Sequence, residues 1–397
     1  MVTSKIELSN PKRFETPHTI DKNKLIAAAQ KATDKLEANI SKLKDGFAGT
    51  CSVDYKYMTD TNKNWECGMQ TGCFWLAYEI TGNKIFKDVA EHQLDTYKKR
   101  IDEKIGMDDH DVGFVFTPSC VAAYKAAGNE YGRELALKAV EYYFPRSYSK
   151  EGKFIIRSYR SWEQGPGCRT MMDALMNAPL LFWAAKETGN EEYYQAALDH
   201  NMTTMKYLVR EDASTFHHYQ FDPKTAAPVK GLTLQGYSDD SCWARGHSWG
   251  VYGFPIAYSY TQEKNLVDTH KDITYYMLNR LPDDCITYWD YIFTQGSDQP
   301  RDSSSGAISV CGMNEMCKML PDDSEQKKIF ESASAQMLEA IIDKCTGDIG
   351  VNYDGLICHV THALPQGQGI DECAIYGDYF YLEALLRYLK PDWKKYW

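Results

Sequence analysis

Three segments of this chain share one design: Ala77 to Asn83 (AYEITGN), Ala123 to Asn129 (AYKAAGN) and Trp183 to Asn190 (WAAKETGN). Each closes an apolar helical run with Gly-Asn, and each is followed by a charged amphipathic run. Glycine takes the left-handed conformation that ends a helix, and Asn can start the next one. The pattern predicts a helical hairpin, repeated. Weaker versions recur at Ala257 to Asn265, Cys317 to Asp323 and Ala384 to Asp392. Six such turns imply about twelve helices of ordinary length, which with their loops account for a chain of 397 residues. The turns are unequally spaced, unlike a strict solenoid of about 34-residue repeats. Closing the hairpins into a ring, an all-α (α/α)6 barrel with the more apolar helix of each pair inward, solves the burial problem better.

The long loops between hairpins then gather at one end, where a pocket forms. No Gly/Ser/Pro linker divides the chain, so residues 21–397 read as one domain and residues 1–20 as an arm. Strand signals are short: Phe154 to Arg157, and Tyr288 to Phe293, both between helices.

The composition narrows the function classes. A net charge of -11 speaks against general affinity for nucleic acid or an anionic membrane, because such binding needs Lys and Arg to release counterions. No stretch approaches the roughly 18 to 20 apolar residues of a membrane span. The start, MVTSKIELSN, lacks the apolar core of a signal peptide. A cytoplasmic chain is expected, or a periplasmic one if a leader has been removed. Twelve cysteines are scattered without a C-x-x-C pair and read as buried free thiols rather than as metal ligands or a disulfide framework. No phosphate-cradling glycine loop and no nucleophile elbow appears. Neither a metal nor a cofactor is expected.

The stretch from Gln235 to Trp249, QGYSDDSCWARGHSW, crowds two Trp, one Tyr, one Arg, one His, one Gln and two adjacent Asp into a loop that feeds a helix N-terminus. Flat apolar faces beside charged hydrogen-bonding groups suit a sugar ring. Trp65 and Trp162 lie in polar loops of the same kind, where a ring stacks on something.

Two carboxylates stand out. Asp173 sits among Met171, Met172, Leu175 and Met176; facing the interior it would have a raised pKa and make a general acid, whereas as an N-cap it would start the helix through Leu180. Asp111 belongs to Asp108-Asp-His-Asp-Val-Gly-Phe114, a cluster too short for a calcium loop. It is either solvated or the second member of a two-carboxylate site. Asp302 and Asp378 read as helix N-caps, and the pair His217–His218 as a structural loop pair.

His110 through Phe114, Arg160-Ser-Trp162, Met172 through Asn177 with Pro179-Leu-Leu, Gln235 through Trp249, Asp302-Ser-Ser304 and Gly377 through Glu383 together resemble the unsaturated glucuronyl hydrolases of glycoside hydrolase family 88. The similarity runs from about Trp65 to Arg387, in the family's order.

The resemblance implies an (α/α)6 barrel that removes the 4,5-unsaturated uronic acid from the non-reducing end of lyase-generated glycosaminoglycan oligosaccharides, by protonating and hydrating the vinyl ether. It implies Asp173 as the acid/base and Asp111 as the second essential Asp. By the same likeness His110, His217, Gln235 and Arg245 contact the uronate, and Trp65, Trp162, Trp243 and Trp249 form stacking walls. His247 receives no role, since some members carry Gln there.

Three other readings stay open. An unsaturated rhamnogalacturonyl hydrolase would share the fold and the chemistry, although the His110–Asp111 pair and the Gln235 segment favour the glucuronyl branch. A sugar epimerase on the same barrel would need bases on both faces of one carbon, with His217 and His247 as candidates. A non-catalytic glycan-binding toroid has no use for a buried Asp173. The segment Gly355 to Glu372 has no Lys or Arg to pair with sulfate, which points to unsulfated or lightly sulfated fragments. Oligomeric state is not legible.

Overall fold

A computed structural model describes residues 6–157, 168–347, 350 and 352–397. Among these, twelve long helical segments form six inner and six outer elements. The outer ones are α1 (Lys22–Ala38), α3 (Lys84–Asp102), α5 (Glu130–Ser147), α7 (Glu191–Tyr207), α9 (Lys264–Leu278) and α11 (Glu325–Cys345). The inner ones are α2 (Cys67–Thr81), α4, α6 (Pro179–Thr188), α8 (Ala244–Thr261), α10 (Ser303–Cys317) and α12 (Ile375–Leu389). Helix α4 is composite: Val112–Phe116, a π turn over Thr117–Val121, then Ala122–Ala127. Pro118 removes a backbone donor there, and a wider turn absorbs the loss. Inner helices touch in the cyclic order α2, α4, α6, α8, α10, α12 and back to α2, closing the predicted barrel.

The turns follow the Gly-Asn logic. Gly82, Gly128 and Gly189 sit at φ of 71°, 64° and 73°, where a side chain would be strained. The Asn that follows each accepts a backbone N–H of the next helix, from Ile85, Gly132 and Glu192 respectively. Gln262 takes the left-handed position in the fourth turn. Ser324 caps α11 in the fifth. The sixth signal, Ala384 to Asp392, opens no hairpin. Helix α12 needs an outer partner and finds it in α1 from the other end of the chain.

Inner helices are buried almost all round, as they must be when a helix has neighbours on every side. Two glycines let them approach to backbone contact: a Cβ on Gly68 would meet the Phe114 carbonyl oxygen at 2.2 Å, and one on Gly113 would meet the Asn177 Cα at 2.4 Å. These contacts lock α2, α4 and the Asp173 segment together.

The strand signal at Phe154 is met by Phe154–Ile155 pairing with Tyr148–Ser149. Between 288 and 293 only isolated bridges form, Trp243 with Asp290 and Tyr288 with Arg301. A three-stranded antiparallel sheet of Cys168–Met171, His218–Phe221 and Pro228–Leu232 was not foreseen. Its first strand pairs with the second across about fifty residues, a gap that local patterns do not report. Residues ahead of α1 lie across the ends of α9 and α11, where Arg13 donates to the carbonyls of Leu281 at 2.7 Å and Pro282 at 2.6 Å. All twelve cysteines are free thiols, and every one but Cys51 is buried. No helix among the described residues is long and apolar enough to cross a membrane.

Candidate active site

The inner helices point their N-termini to one end of the barrel, and there the chemically notable residues meet. Trp65 precedes α2, Asp111 precedes the first turn of α4, and Trp243, Arg245 and Trp249 open α8. Unpaired N–H groups and the helix dipoles give this end a positive bias suited to an anionic ligand. A cavity of about 410 Å³ lies here, lined by Trp65, His110, Asp111, Asp173, His217, Gln235, Trp243, Arg245 and Trp249. Every site residue expected from the sequence is present except Trp162, which lies outside the described residues. A larger cavity, about 700 Å³, sits at the other end between the arm and α10, α11 and α12; it contains neither Asp.

His110 organises the carboxylates. Its Nδ1 faces the Arg157 carbonyl oxygen at 2.8 Å and the Asp109 carboxylate. Its Nε2 reaches Asp173 Oδ1 at 3.1 Å and Asp111 Oδ1 at 3.4 Å. Burial works against a charged ring, but Asp111, Asp109 and Asp173 outweigh it and hold His110 well above its usual value. Asp109, His110 and Asp111 bring ligand atoms within 4.8 Å of one another. Both ring nitrogens are already turned to oxygens, so an imidazolium here has no lone pair for a cation.

The two carboxylates are polarised in the sense opposite to the sequence expectation. Burial pushes Asp111 up to about 7, with Asp109 and Asp173 adding to the push and His110 opposing it. Burial also pushes Asp173 up, but the adjacent His110 charge and hydrogen bond win and leave it below the usual value. The cap reading of Asp173 fails as well. Residues Met172–Met176 form a 3-10 turn, and α6 starts only at Pro179 with no side-chain cap. The sheet strand ending at Met171 delivers Asp173 to the cavity, while Asn177 buttresses the pair: its Oδ1 accepts the Phe114 N–H at 2.6 Å and its Nδ2 faces Asp111 at 3.5 Å.

His217, immediately ahead of the strand His218–Phe221, lines the cavity, whereas His218, the first strand residue, does not. The Nδ1 of His217 accepts the backbone N–H of Leu234 at 3.2 Å and of Gln235 at 3.3 Å, so its proton sits on Nε2. Burial drives the ring down to about 3, which keeps it neutral. Trp243 packs on it with centroids 4.4 Å apart. Among the described residues, His217 Nε2 and Trp243 Nε1 have no partner although both are buried. They are two open donors on the wall of a sugar-sized cavity.

Arg245 and Gln235 have different immediate partners from those the resemblance implies. Arg245, 1% exposed, pairs with Asp302 at 2.8 Å and donates to the carbonyls of Thr361 and His362. Gln235 Nε2 donates to the same His362 carbonyl at 3.0 Å. Both clip the 355–372 segment onto the cavity. Asp302 is also the N-cap of α10, as expected, accepting the Ser304 N–H at 3.2 Å. Asp378 caps nothing: α12 begins before it, and its buried carboxylate accepts the N–H groups of Leu356 and Ile357 and the Tyr57 hydroxyl, with burial pushing it up to about 7. His247 is fully buried away from the cavity, bound to the Ile273 carbonyl oxygen at 2.8 Å.

The sequence reading missed Arg157, His362, Gln366 and Gln368, all cavity-lining. Arg157 ends the FIIR strand signal, and an Arg closing an apolar strand beside an aromatic loop is the one hint it offered. The other three belong to the segment read only for its lack of cations.

Known proteins share this fold. The family model for glycosyl hydrolase family 88 matches residues 39–361. The unsaturated chondroitin disaccharide hydrolase of Streptococcus pneumoniae is 41% identical over 98% of each chain. An unsaturated glucuronyl hydrolase of a Bacillus species is 33% identical over 88% of this chain and 92% of its own. The crystal structure of the unsaturated glucuronyl hydrolase of Streptococcus agalactiae superposes with a TM-score of 0.95 at 38% identity, covering 100% of this chain and 99% of that one. An Asp-to-Asn variant of that protein, complexed with dGlcA-GalNAc6S, superposes at 0.88 with 37% identity and the same coverage. Fold and sequence agree: the chain belongs to glycosyl hydrolase family 88.

Proposed function

We propose that this chain hydrolyses lyase-generated glycosaminoglycan oligosaccharides, releasing the 4,5-unsaturated uronic acid from the non-reducing end. The observation that carries the reading is the pair Asp111 and Asp173 turned to one nitrogen of His110 in a cavity walled by Trp65, Trp243 and Trp249.

The chemistry follows from the charges. An incoming uronate expels water and adds a negative charge, and both effects raise the pKa of Asp173. Asp173 thereby acquires the proton it delivers to C4 of the vinyl ether. Water adds at C5 and returns a proton to a site carboxylate. The C5 hemiketal opens to a ketone, and the C1 hemiacetal this exposes expels the next sugar. Asp111 holds the ring hydroxyls, and His217 Nε2–H and Trp243 Nε1–H donate to substrate oxygens. Arg157, with the helix N-termini, supplies positive potential for the uronate carboxylate.

The segment 355–372 brings His362, Gln366 and Gln368 to the cavity and no Lys or Arg. The preferred substrate is therefore an unsulfated or lightly sulfated disaccharide of the chondroitin or hyaluronan type. The epimerase reading loses its second base, because His247 does not line the cavity.

The test incubates the protein with unsaturated disaccharides from chondroitin, hyaluronan, heparin and rhamnogalacturonan lyases and follows loss of the ultraviolet absorbance of the conjugated double bond. Loss is expected with unsulfated chondroitin or hyaluronan disaccharide. If no substrate loses absorbance the hydrolase reading fails, and faster turnover of a 6-sulfated than of an unsulfated disaccharide overturns the sulfate preference.

A further inference from the structure

At the end of the barrel away from the catalytic pair, residues 393–397 fold into the ring. Trp397 is fully buried; its ring stacks on Phe380 with centroids 6.0 Å apart and planes at 11°, and its Nε1 donates to Glu383 Oε2 at 3.0 Å. On its other side it meets Phe114 edge-on at 6.1 Å. Phe114 is a wall of the substrate cavity, and its ring lies 5.2 Å from Trp65 and 5.1 Å from Trp249. A continuous column of rings thus joins the tail to the two indoles expected to stack on sugar.

The tail is tethered independently of the cavity. Lys125 Nζ donates to the carbonyls of Lys395 at 3.1 Å and Tyr396 at 2.7 Å, and Lys318 Nζ to that of Trp393 at 3.0 Å. Lys395 Nζ pairs with Glu315 at 2.7 Å. Phe114 is pinned through its backbone by Asn177, but its ring is placed by its neighbours. Of the three aromatic rings against it among the described residues, two line the cavity and the third is Trp397. Packed interiors transmit such placement, since a removed ring leaves its neighbours free to relax into the gap.

We propose that Trp397 is a positioning residue for substrate binding: it backs Phe114 and so fixes the angle of Trp65 and Trp249. The proposal rests on the reading that this cavity holds the unsaturated uronate. Trp397 touches no substrate, so its loss weakens binding while leaving the carboxylate pair in place.

The experiment compares Trp397→Leu, Trp397→Phe and Trp393→Leu in steady-state kinetics with unsaturated chondroitin disaccharide, alongside thermal unfolding. Trp393 plugs the same end, against Tyr396 at 5.2 Å, and does not line the cavity. All three variants lower the unfolding midpoint. Only Trp397→Leu raises KM, by about fivefold, the scale of one lost aromatic pair, with kcat within about twofold of wild type. Trp397→Phe keeps a ring behind Phe114 and restores KM. If Trp397→Leu does not fold, Trp397→Met carries the same prediction. An unchanged KM in a folded Trp397→Leu or Trp397→Met, or an equal rise in Trp393→Leu, overturns the proposal. An inactive wild type would instead count against the hydrolase reading, so the two failures are distinguishable.

Discussion

The two ends of the barrel are built from the same six inner helices and treat polar groups in opposite ways. At the closed end, Arg387 donates from Nε to Glu383 at 2.9 Å, from Nη1 to Glu315 at 2.8 Å and from Nη2 to the Tyr252 hydroxyl at 2.6 Å, while Lys395 and Trp397 take up the remaining carboxylate oxygens. At the open end, His217 Nε2 and Trp243 Nε1 have no partner among the described residues, and two carboxylates compete for one nitrogen of His110. The satisfied cluster around Arg387 makes a scaffold. Unsatisfied burial at the open end makes a site, at a cost in stability that only a ligand or a reaction offsets.

The comparison can be broken first at the catalytic pair. Asp173→Asn should lower kcat by about 10⁴-fold with the unfolding midpoint unchanged or raised. A variant that unfolds instead would place Asp173 with the scaffold. Next comes the closed end. Arg387→Leu leaves Glu383 and Glu315 short of a buried partner and should reduce unfolding free energy by about 3–5 kcal/mol in denaturant titrations. The folded protein should keep most of its turnover.

His217 and His218 offer a finer contrast, being neighbours in sequence of which only the first lines the cavity. His217→Ala should raise KM by about tenfold through loss of one donor, whereas His218→Ala should leave KM alone. Equal effects would mean that the open Nε2 of His217 does not meet substrate.

A last contrast concerns pH. The folded pKa of Asp111 lies near 7, above its unfolded value, so the folded state keeps a proton that the unfolded state loses between about pH 4 and 7. Stability is therefore lost as pH rises through that window. Asp111→Asn removes the titration and should gain roughly 2–3 kcal/mol relative to wild type on going from pH 5 to pH 8. A parallel pH profile for the two proteins would deny Asp111 its raised pKa.

Much of this was legible in the sequence because it is encoded locally. Gly82-Asn83, Gly128-Asn129 and Gly189-Asn190 each specify a helix end and a restart within a few residues. Trp65, Asp111 and Trp243 converge because each immediately precedes an inner helix, so finding the helix starts finds the site. What escaped depends on distant partners. The grip of Asp302 on Arg245 spans 57 positions, and the two strands that flank Asp173 and His217 pair across about fifty residues. Asp378 has the composition of a cap, yet α12 begins at Ile375 and places it inside the first turn. The inverted pKa values of Asp111 and Asp173 arise from one imidazole between three carboxylates, an arrangement no linear motif expresses.

The destination of the proton distinguishes hydration of the double bond from displacement at the anomeric carbon. Turnover of unsaturated chondroitin disaccharide in deuterium oxide, with the released sugar read by proton NMR at early times, should show deuterium at C4 and a ketone at C5. Release of a uronate that still carries its C4–C5 double bond, with no deuterium at C4, would mean displacement at the anomeric carbon and would contradict the roles given to Asp173 and Asp111.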